Sequence, residues 1–312
     1  MVSRSTTIPK IATALVLCGV LIATWAVVEH RRADAASSVR SVASDPPSTT
    51  PTASPTPSAV DSLPAAEAPV TADRTAIVQQ ALAAALAREG GKVGIEVLDR
   101  ATGAAVGYQS TLSFETASIV KVDILATLLY QNQQAGRKLS DDERDLAEAM
   151  ITESDNDAAS ALWETIGGAS GLATANRTFG LIETTPGDDD YWGATTTTPA
   201  DQIRLLSMLS NDSGPLSPDN RSYELNLMAN VESDQRWGVP AAAGSAATAV
   251  YVKNGWLSSD SDDGLWVVNS IGRIIEPGHD WLVAILANHE SDEDPTIALI
   301  QDTAAIAVNG LR

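Results

Sequence analysis

The sequence predicts an α+β fold in which a five-stranded antiparallel sheet is flanked by helices and interrupted by an all-helical subdomain. The first observation is the order of the elements. Two strand-like segments come early, several helical segments follow, and three strand-like segments and a helix end the chain. The second observation is the length, because 312 residues are ample chain for a real core, in one large domain or two small ones.

The first elements are a helix and a pair of strands. Apolar residues at helical spacing predict a helix over residues 75–88, which ends at two glycines. The alternating pattern of residues 92–99 predicts a strand, residues 100–103 form a turn, and residues 104–108 return beside the first strand.

The middle of the chain is helical. Residues 119–129 carry apolar side chains at helical spacing without Gly or Pro. A capping box at residues 140–143 opens a helix through Ile151, and a further helix covers residues 157–166. An irregular loop over residues 181–197 precedes a helix in which Thr198 is the N-cap and Pro199 the first residue.

The last third returns to strands. Residues 248–253, 264–275 and 281–287 have strand patterns, with a tight connection over residues 276–280. Residues 296–308 form the last helix. We expect the first and last helices to cover the sheet.

The first 72 residues have a different composition. Residues 1–35 contain eighteen mostly apolar residues (11–28) after Arg4 and Lys10, which predicts an uncleaved signal anchor, with a cleaved signal peptide as the alternative. Cys18 follows a leucine where a lipoprotein signal has a small residue, so we do not expect lipidation. Either way, the bulk of the chain is expected to be extracytoplasmic.

A linker separates this segment from the folded part. Residues 36–72 are rich in Ser, Thr, Pro and Ala and nearly free of large apolar side chains, so they are expected to be a disordered tether. Residues 73–312 are then a single domain, which we expect to be a monomer.

Composition excludes several function classes. A net charge of −20 argues against nucleic acid or an anionic membrane surface as a partner, so membrane contact is expected through the N-terminal segment only. The single cysteine excludes a disulfide framework, and the three scattered histidines predict neither a metal site nor a histidine-based triad. We therefore predict no metal and no cofactor.

A serine and a lysine at the start of the buried helix are candidate catalytic residues. Ser118 precedes the apolar run, and Lys121 lies one turn later on the same face. A serine nucleophile needs a base, and burial makes a lysine give up its proton. The chain has only five lysines against fifteen arginines, which suggests that this lysine is kept for its chemistry. The alternative is an N-cap serine with a lysine that reaches solvent.

Two further segments are weaker signals when each is taken alone. The first, Ser154-Asp155-Asn156, lies between two helices, where its alternative role is helix capping. The second, Lys253-Asn254-Gly255, closes a strand, where the glycine permits close backbone approach; its alternative is an ordinary edge-strand lysine.

In this order, the three segments resemble the signatures of class A β-lactamases and penicillin-binding D,D-peptidases, which are Ser-x-x-Lys, Ser-Asp-Asn and Lys-Thr-Gly. Residues 149–159 and 165–168 resemble class A sequence around the second signature, and residues 196–199 resemble the end of its omega loop. The resemblance covers residues 73–312 and implies the β-lactamase-like fold.

The resemblance also implies a role for each residue. Ser118 is the acylated nucleophile, and Lys121 is its base or a proton relay. Ser154 passes a proton to the leaving nitrogen. Asn156, Lys253, Asn254, Gly255 and Trp256 bind the substrate. Among them, Lys253 holds the substrate carboxylate, and the backbone N–H groups of Ser118 and Trp256 form the oxyanion hole.

The departures from the family pattern leave the substrate open. Asn254 replaces a threonine, and the segment between the first two signatures is shortened. The carboxylates in the shortened loop are Glu183, Asp188, Asp189 and Asp190, and none is in clear register with the glutamate that activates the deacylating water. We expect a serine hydrolase of β-lactams or related amides and esters. The alternative is a D,D-peptidase-like or penicillin-binding wall protein, with a peptidoglycan-like substrate and little or no turnover. In the extreme case it is a non-catalytic or merely acylatable wall-binding domain that kept the fold.

Overall fold

A computed structural model describes residues 70–87, 91–188, 191–211, 213–259 and 263–312. The predicted signal anchor and residues 36–69 of the predicted linker lie outside these ranges. The helices are α1 (Val70–Leu86), α2 (Val120–Gln134), α3 (Asp141–Glu148), α4 (Asn156–Ile166), α5 (Gly168–Phe179), α6 (Pro199–Ser210), α7 (Pro218–Ala229) and α8 (Glu293–Leu311). The strands are β1 (Lys92–Asp99), β2 (Ala105–Tyr108), β3 (Phe114–Glu115), β4 (Thr196–Thr197), β5 (Ala249–Ser259), β6 (Leu265–Glu276) and β7 (His279–Glu290).

The five long strands form one antiparallel sheet, as predicted. Their order is β2-β1-β7-β6-β5, so the two N-terminal strands pair with the three C-terminal ones through β1 and β7. A two-residue turn joins β6 and β7, and Gly278 in this turn has φ 84°, a conformation that glycine adopts without strain. All the helices from α2 to α7 are inserted between β2 and β5.

The first and last helices pack together against the sheet, which confirms that prediction. Helix α1 contacts α8, and α8 contacts β6 and β7. Leu82 from α1 and Ile300 from α8 are fully buried in a core that includes Ile95 and Trp281 of the sheet. Burying each large apolar side chain contributes about 1.5–3 kcal/mol to stability.

Helix α2 is the centre of the second core. Every residue from Val120 to Leu129 is buried, because α4, α5 and α7 all pack around the helix. Such a helix is apolar on most of its circumference, as the uninterrupted apolar run predicted. It carries Lys121 and Asp123 into the interior, and both side chains are at most 1% exposed.

Several element boundaries differ from the predictions. Helix α1 begins at Val70, inside the predicted linker. The capping box at Ser140 is present, but α3 ends at Glu148 and a π-helical turn over Ala149–Glu153 follows. Strand β5 continues past Gly255 to Ser259, because β6 pairs with it along its whole length.

Two helices, α5 and α7, were not predicted. Helix α5 begins with Gly-Ala-Ser-Gly, in which the two glycines have poor helix propensity, and tertiary packing stabilises the helix instead. Its Gly171 lies so close to α4 that an added Cβ would be 1.8 Å from the backbone oxygen of Ile166.

None of the helices that the structure describes is both long and apolar enough to cross a membrane.

Candidate functional site

Ser118 lies in a single 3-10 turn, Ala117–Ile119, that leads into α2. Ala117 has φ 45°, a left-handed conformation that costs an alanine about 1–2 kcal/mol. Side-chain bonds from the sheet stabilise the preceding backbone: Nδ2 of the buried Asn269 donates to the carbonyl oxygens of Glu115 and Thr116 at 2.9 Å each. The strain at Ala117 is thus balanced by contacts with β6, and the position of Ser118 depends on them.

Gly255 brings β5 directly against this turn. A Cβ atom added at Gly255 would lie 2.6 Å from the backbone nitrogen of Ser118 and 2.7 Å from that of Ile119. Only glycine allows this approach, as its position after the lysine predicted. The next residue, Trp256, therefore lies beside Ser118, and both line the same cleft.

Lys121 is completely buried and faces the second signature. Its Nζ donates to the backbone oxygen of Ser154 at 2.6 Å, to Ser154 Oγ at 3.2 Å and to Asn156 Oδ1 at 2.7 Å. None of these bonds goes to Ser118. Burial lowers the pKa of Lys121 to about 7, although the Asp155 carboxylate acts in the opposite direction. A large fraction of this lysine is therefore neutral near pH 7.

Ser154 lies between two lysines. It has φ 60° at the end of the π-helical turn, and this left-handed conformation directs the segment toward the interior. Its Oγ is 3.2 Å from Lys121 Nζ and 2.9 Å from Lys253 Nζ. Asp155 caps α4 through a bond to the nitrogen of Ala158, so the capping interpretation is correct for Asp155. Ser154, from the second signature, is therefore hydrogen-bonded to a lysine from each of the other two.

Lys253 is as buried as Lys121. Its Nζ donates to Ser154 Oγ and, at 3.0 Å, to the backbone oxygen of Asn254. Burial, and then the charge of Lys121, hold the pKa of Lys253 well below its ordinary value. Strand β5 is at the edge of the sheet, so Lys253 does lie on an edge strand. A lysine in solvent would have neither feature, so Lys253 is not an ordinary exposed edge-strand lysine.

The side chain of Asn254 does not face the cleft. Its Nδ2 donates to the backbone oxygens of Gln235 at 2.7 Å and Trp237 at 3.0 Å, which uses both amide hydrogens. The expectation that this amide binds a substrate does not agree with the geometry. Asn254 instead attaches β5 to the segment before it, where it takes the place of the family's threonine.

A cleft of about 420 Å³ opens beside Ser118. It is lined by Glu115, Ala117, Ser118, Asn156, Tyr191, Trp192, Gly193, Ala194, Trp256 and Leu257. Sequence reasoning named Ser118, Asn156 and Trp256 of this set. The cleft lies between the end of β5 and the loop before α6.

No acidic side chain that the structure describes hydrogen-bonds to Lys121. Glu183 and Asp188 are exposed, and Asp189 and Asp190 lie outside the described residues. The indole of Trp192 instead covers Lys121 Nζ at 4.8 Å from the ring centroid, and Trp192 Nε1 donates to Ser160 Oγ at 3.1 Å. On the side of Lys121 that faces the loop before α6, the neighbour is therefore an aromatic ring and not a carboxylate.

Sequence reasoning missed Asn269, Trp192 and Glu115. Asn269 precedes the serine in an apolar strand, where its buried amide was a weak signal, and its partners are about 150 residues away along the chain. Trp192 and Glu115 had no sequence signal that separated them from other aromatic or acidic residues.

The arrangement has the elements of acyl transfer. A serine at a helix start lies near a buried lysine that is largely neutral, and a second serine bridges two lysines able to exchange its proton. Nothing in this set requires a metal ion, and the described residues contain no group of three potential metal ligands.

Comparisons with known proteins agree with this arrangement. The model of the beta-lactamase enzyme family matches residues 77–143 and 138–311. A Mycobacterium tuberculosis protein named "Putative lipoprotein LppW" is 30% identical over 217 residues, which is 68% of each chain.

Solved structures with the same fold include two kinds of protein. An ancestral class A β-lactamase is 25% identical, with a TM-score of 0.61 over 73% of this chain and 98% of that one. The structure of PBP-A is 22% identical, with a TM-score of 0.64 over 76% of this chain and 95% of that one. By family model, sequence relative and fold together, this chain belongs to the beta-lactamase enzyme family.

Proposed function

We propose that this protein is an exported serine hydrolase that forms an acyl-enzyme on Ser118 with β-lactams or related amides and esters. The observation that carries the proposal is Lys121: it is fully buried, bonded to Ser154 and Asn156, and has its pKa lowered to about 7. Holding a lysine in this state costs folding free energy, and a catalytic base is a reason to retain it.

Acylation begins with proton transfer from Ser118 to neutral Lys121. Ser118 Oγ then forms a bond to the acyl carbon, and the backbone N–H groups of Ser118 and Trp256 stabilise the oxyanion. The bond from carbon to the leaving nitrogen breaks as Ser154 donates a proton to that nitrogen. Ser154 then recovers one proton from the pair of lysines that are hydrogen-bonded to it. This transfer returns the site to its starting charge.

Hydrolysis of the acyl-enzyme is expected to be slow. No described carboxylate is bonded to Lys121, and Trp192 lies over the lysine on the side of the loop. Loss of a positioned general base costs about 10²–10⁴-fold in rate. This observation favours the second candidate function, a D,D-peptidase-like or penicillin-binding wall protein with little turnover.

One solved structure supports the acylation step. A mutant of PBP-A, 22% identical and similar in fold, has been solved as an acyl-enzyme complex with penicillin G. Export is supported by the name of the mycobacterial relative, "Putative lipoprotein LppW", and by the apolar segment over residues 11–28.

Intact-mass spectrometry tests the proposal. The chain from residue 70 is mixed with benzylpenicillin and, separately, with an aryl thioester, and the mass is followed over time. We expect one adduct per chain, which peptide mapping places on Ser118 and which persists for many minutes. Ser118→Ala should give no adduct. Absence of any adduct with either reagent, or an equal adduct on Ser118→Ala, would refute the assignment.

A further inference from the structure

The described residues that line the cleft include one carboxylate, Glu115, and the aromatic rings of Tyr191, Trp192 and Trp256, but no Lys, Arg or His. We propose that this cleft selects acyl donors whose acyl side chain carries a positively charged group, and rejects donors with a carboxylate there. The inference rests on the proposed acyl-enzyme, and it names the substrate class of that site.

Glu115 is a half-buried carboxylate in a well-supported position. Glu115 pairs with Thr196 across the short strands β3 and β4, and the backbone oxygen of Glu115 accepts a hydrogen bond from Asn269. Within the part of the chain that the structure describes, its carboxylate has no hydrogen bond or ion pair with a side chain. A carboxylate that is partly removed from water attracts a cation more strongly than one in bulk solvent.

The aromatic rings of the cleft also favour a positively charged acyl side chain. Trp192 is held by its bond to Ser160, and Trp256 packs edge-to-face on Trp237 with 5.8 Å between ring centroids. Tyr191 is 75% exposed, so its face is available to a ligand. Faces of aromatic rings attract cations such as ammonium groups.

The two lysines of the site are not part of the cleft lining, although Lys121 Nζ lies 4.8 Å from the ring centroid of Trp192 and occupies one face of that ring. Lys121 and Lys253 are both fully buried, and neither lines the cleft. Their hydrogen bonds are made to Ser154, Asn156 and the Asn254 backbone. An anionic acyl side chain would therefore meet Glu115 without a cationic partner. The net charge of −20 also favours the approach of cations.

Three phenyl thioesters test the proposal. Each has a butanoyl-length acyl chain, and the chains end in trimethylammonium, tert-butyl or carboxylate. Trimethylammonium and tert-butyl have the same shape, so their comparison isolates charge. In each reaction Ser118 Oγ bonds to the acyl carbon, the C–S bond breaks, and thiophenol leaves with the proton that Ser118 lost. The rate of labelling of Ser118 is measured by intact mass.

We expect labelling by the trimethylammonium probe to be roughly tenfold faster than by the tert-butyl probe, with the carboxylate probe slowest. Glu115→Gln should lower the first ratio several-fold. Glu164→Gln, which removes an exposed carboxylate from α4 outside the cleft, should leave the ratio unchanged. Equal rates for the first two probes, or fastest labelling by the carboxylate probe, overturns the proposal even if Glu115→Gln does not fold.

A binding experiment separates this inference from the proposed function. Unreactive amides with the same three acyl chains are titrated against tryptophan fluorescence in Ser118→Ala. If the cationic amide binds most tightly although no thioester labels the wild type, the acyl-enzyme is refuted and the selectivity stands. If the thioesters label Ser118 without selectivity and the amides bind equally, the selectivity is refuted and the acyl-enzyme stands.

Discussion

The pH dependence of Ser118 acylation follows from the environment of Lys121. With a pKa of about 7, roughly a tenth of this lysine is neutral near pH 6 and roughly nine tenths near pH 8. Only the neutral form can accept the proton of Ser118. The labelling rate should therefore rise about tenfold between these pH values and level off above them.

The assay is intact-mass labelling with an aryl thioester at constant ionic strength, corrected for hydrolysis of the reagent in buffer. Lys121→Arg keeps the positive charge but cannot lose a proton, so it should fold and fail to label. A flat pH profile for the wild type, or labelling of Lys121→Arg at the wild-type rate, would show that another group is the base.

Asp155→Asn is a matched variant for the same experiment. The Asp155 charge raises the pKa of Lys121, and asparagine is an equally good N-cap, so α4 is preserved while the charge is lost. The midpoint of the pH profile should move to lower pH. An upward shift, or none, would mean that the observed titration does not belong to Lys121.

Three further predictions concern the support of the site and the helical core. Gly255→Ala should lower the labelling rate about 100-fold and stability by about 1–3 kcal/mol, because the added methyl group meets backbone atoms of the serine turn. Asn269→Ala should lower the free energy of unfolding by about 2–4 kcal/mol and slow labelling, because it removes three hydrogen bonds, two of them fully buried. Burial raises the pKa of Asp123 to about 7, so its ionisation opposes folding. Asp123→Asn should stabilise the protein by up to about 4 kcal/mol near pH 8.

Matched variants test the predictions at Gly255 and Asn269. Gly107→Ala is the control for Gly255→Ala, because its added Cβ would lie 3.1 Å from the Ser110 side chain and 3.6 Å from the nearest backbone atom, the oxygen of Ile95. It should leave labelling unchanged; equal loss in both glycine variants would refute the backbone argument. Asn269→Asp keeps the acceptor for Ala287 but repels the carbonyls before Ser118, so it should slow labelling as well; wild-type labelling in both variants at that position would show that the turn does not need this support.

The direction in which Asp123 makes stability depend on pH follows from its pKa, which is higher in the folded state than in the unfolded state. Its contribution to stability is fully present below about pH 4 and is lost as pH rises through about 7. Chemical unfolding from pH 4 to pH 8 measures this slope. If Asp123→Asn has the same slope as the wild type, Asp123 is already ionised in the folded state.

Much of the fold could be predicted because it is encoded locally. Alternating residues gave β1, the apolar run gave α2, and the capping residues Ser140 and Thr198 marked two helix starts correctly. The order of these elements indicated the antiparallel sheet and its helical insertion. Family signatures identified Ser118, Lys121, Ser154 and Lys253, and the structure joins the last three in one hydrogen-bonded group.

Only the tertiary structure decided what surrounds those residues. The support of the serine turn by Asn269, the cover of Lys121 by Trp192 and the placement of Glu115 in the cleft join segments far apart in the chain. The side-chain direction of Asn254 and the helices α5 and α7 also depend on packing rather than on local propensity. A sequence pattern specifies which residues can perform a reaction, but burial and neighbouring charges determine their pKa values, and both arise only when the chain has folded.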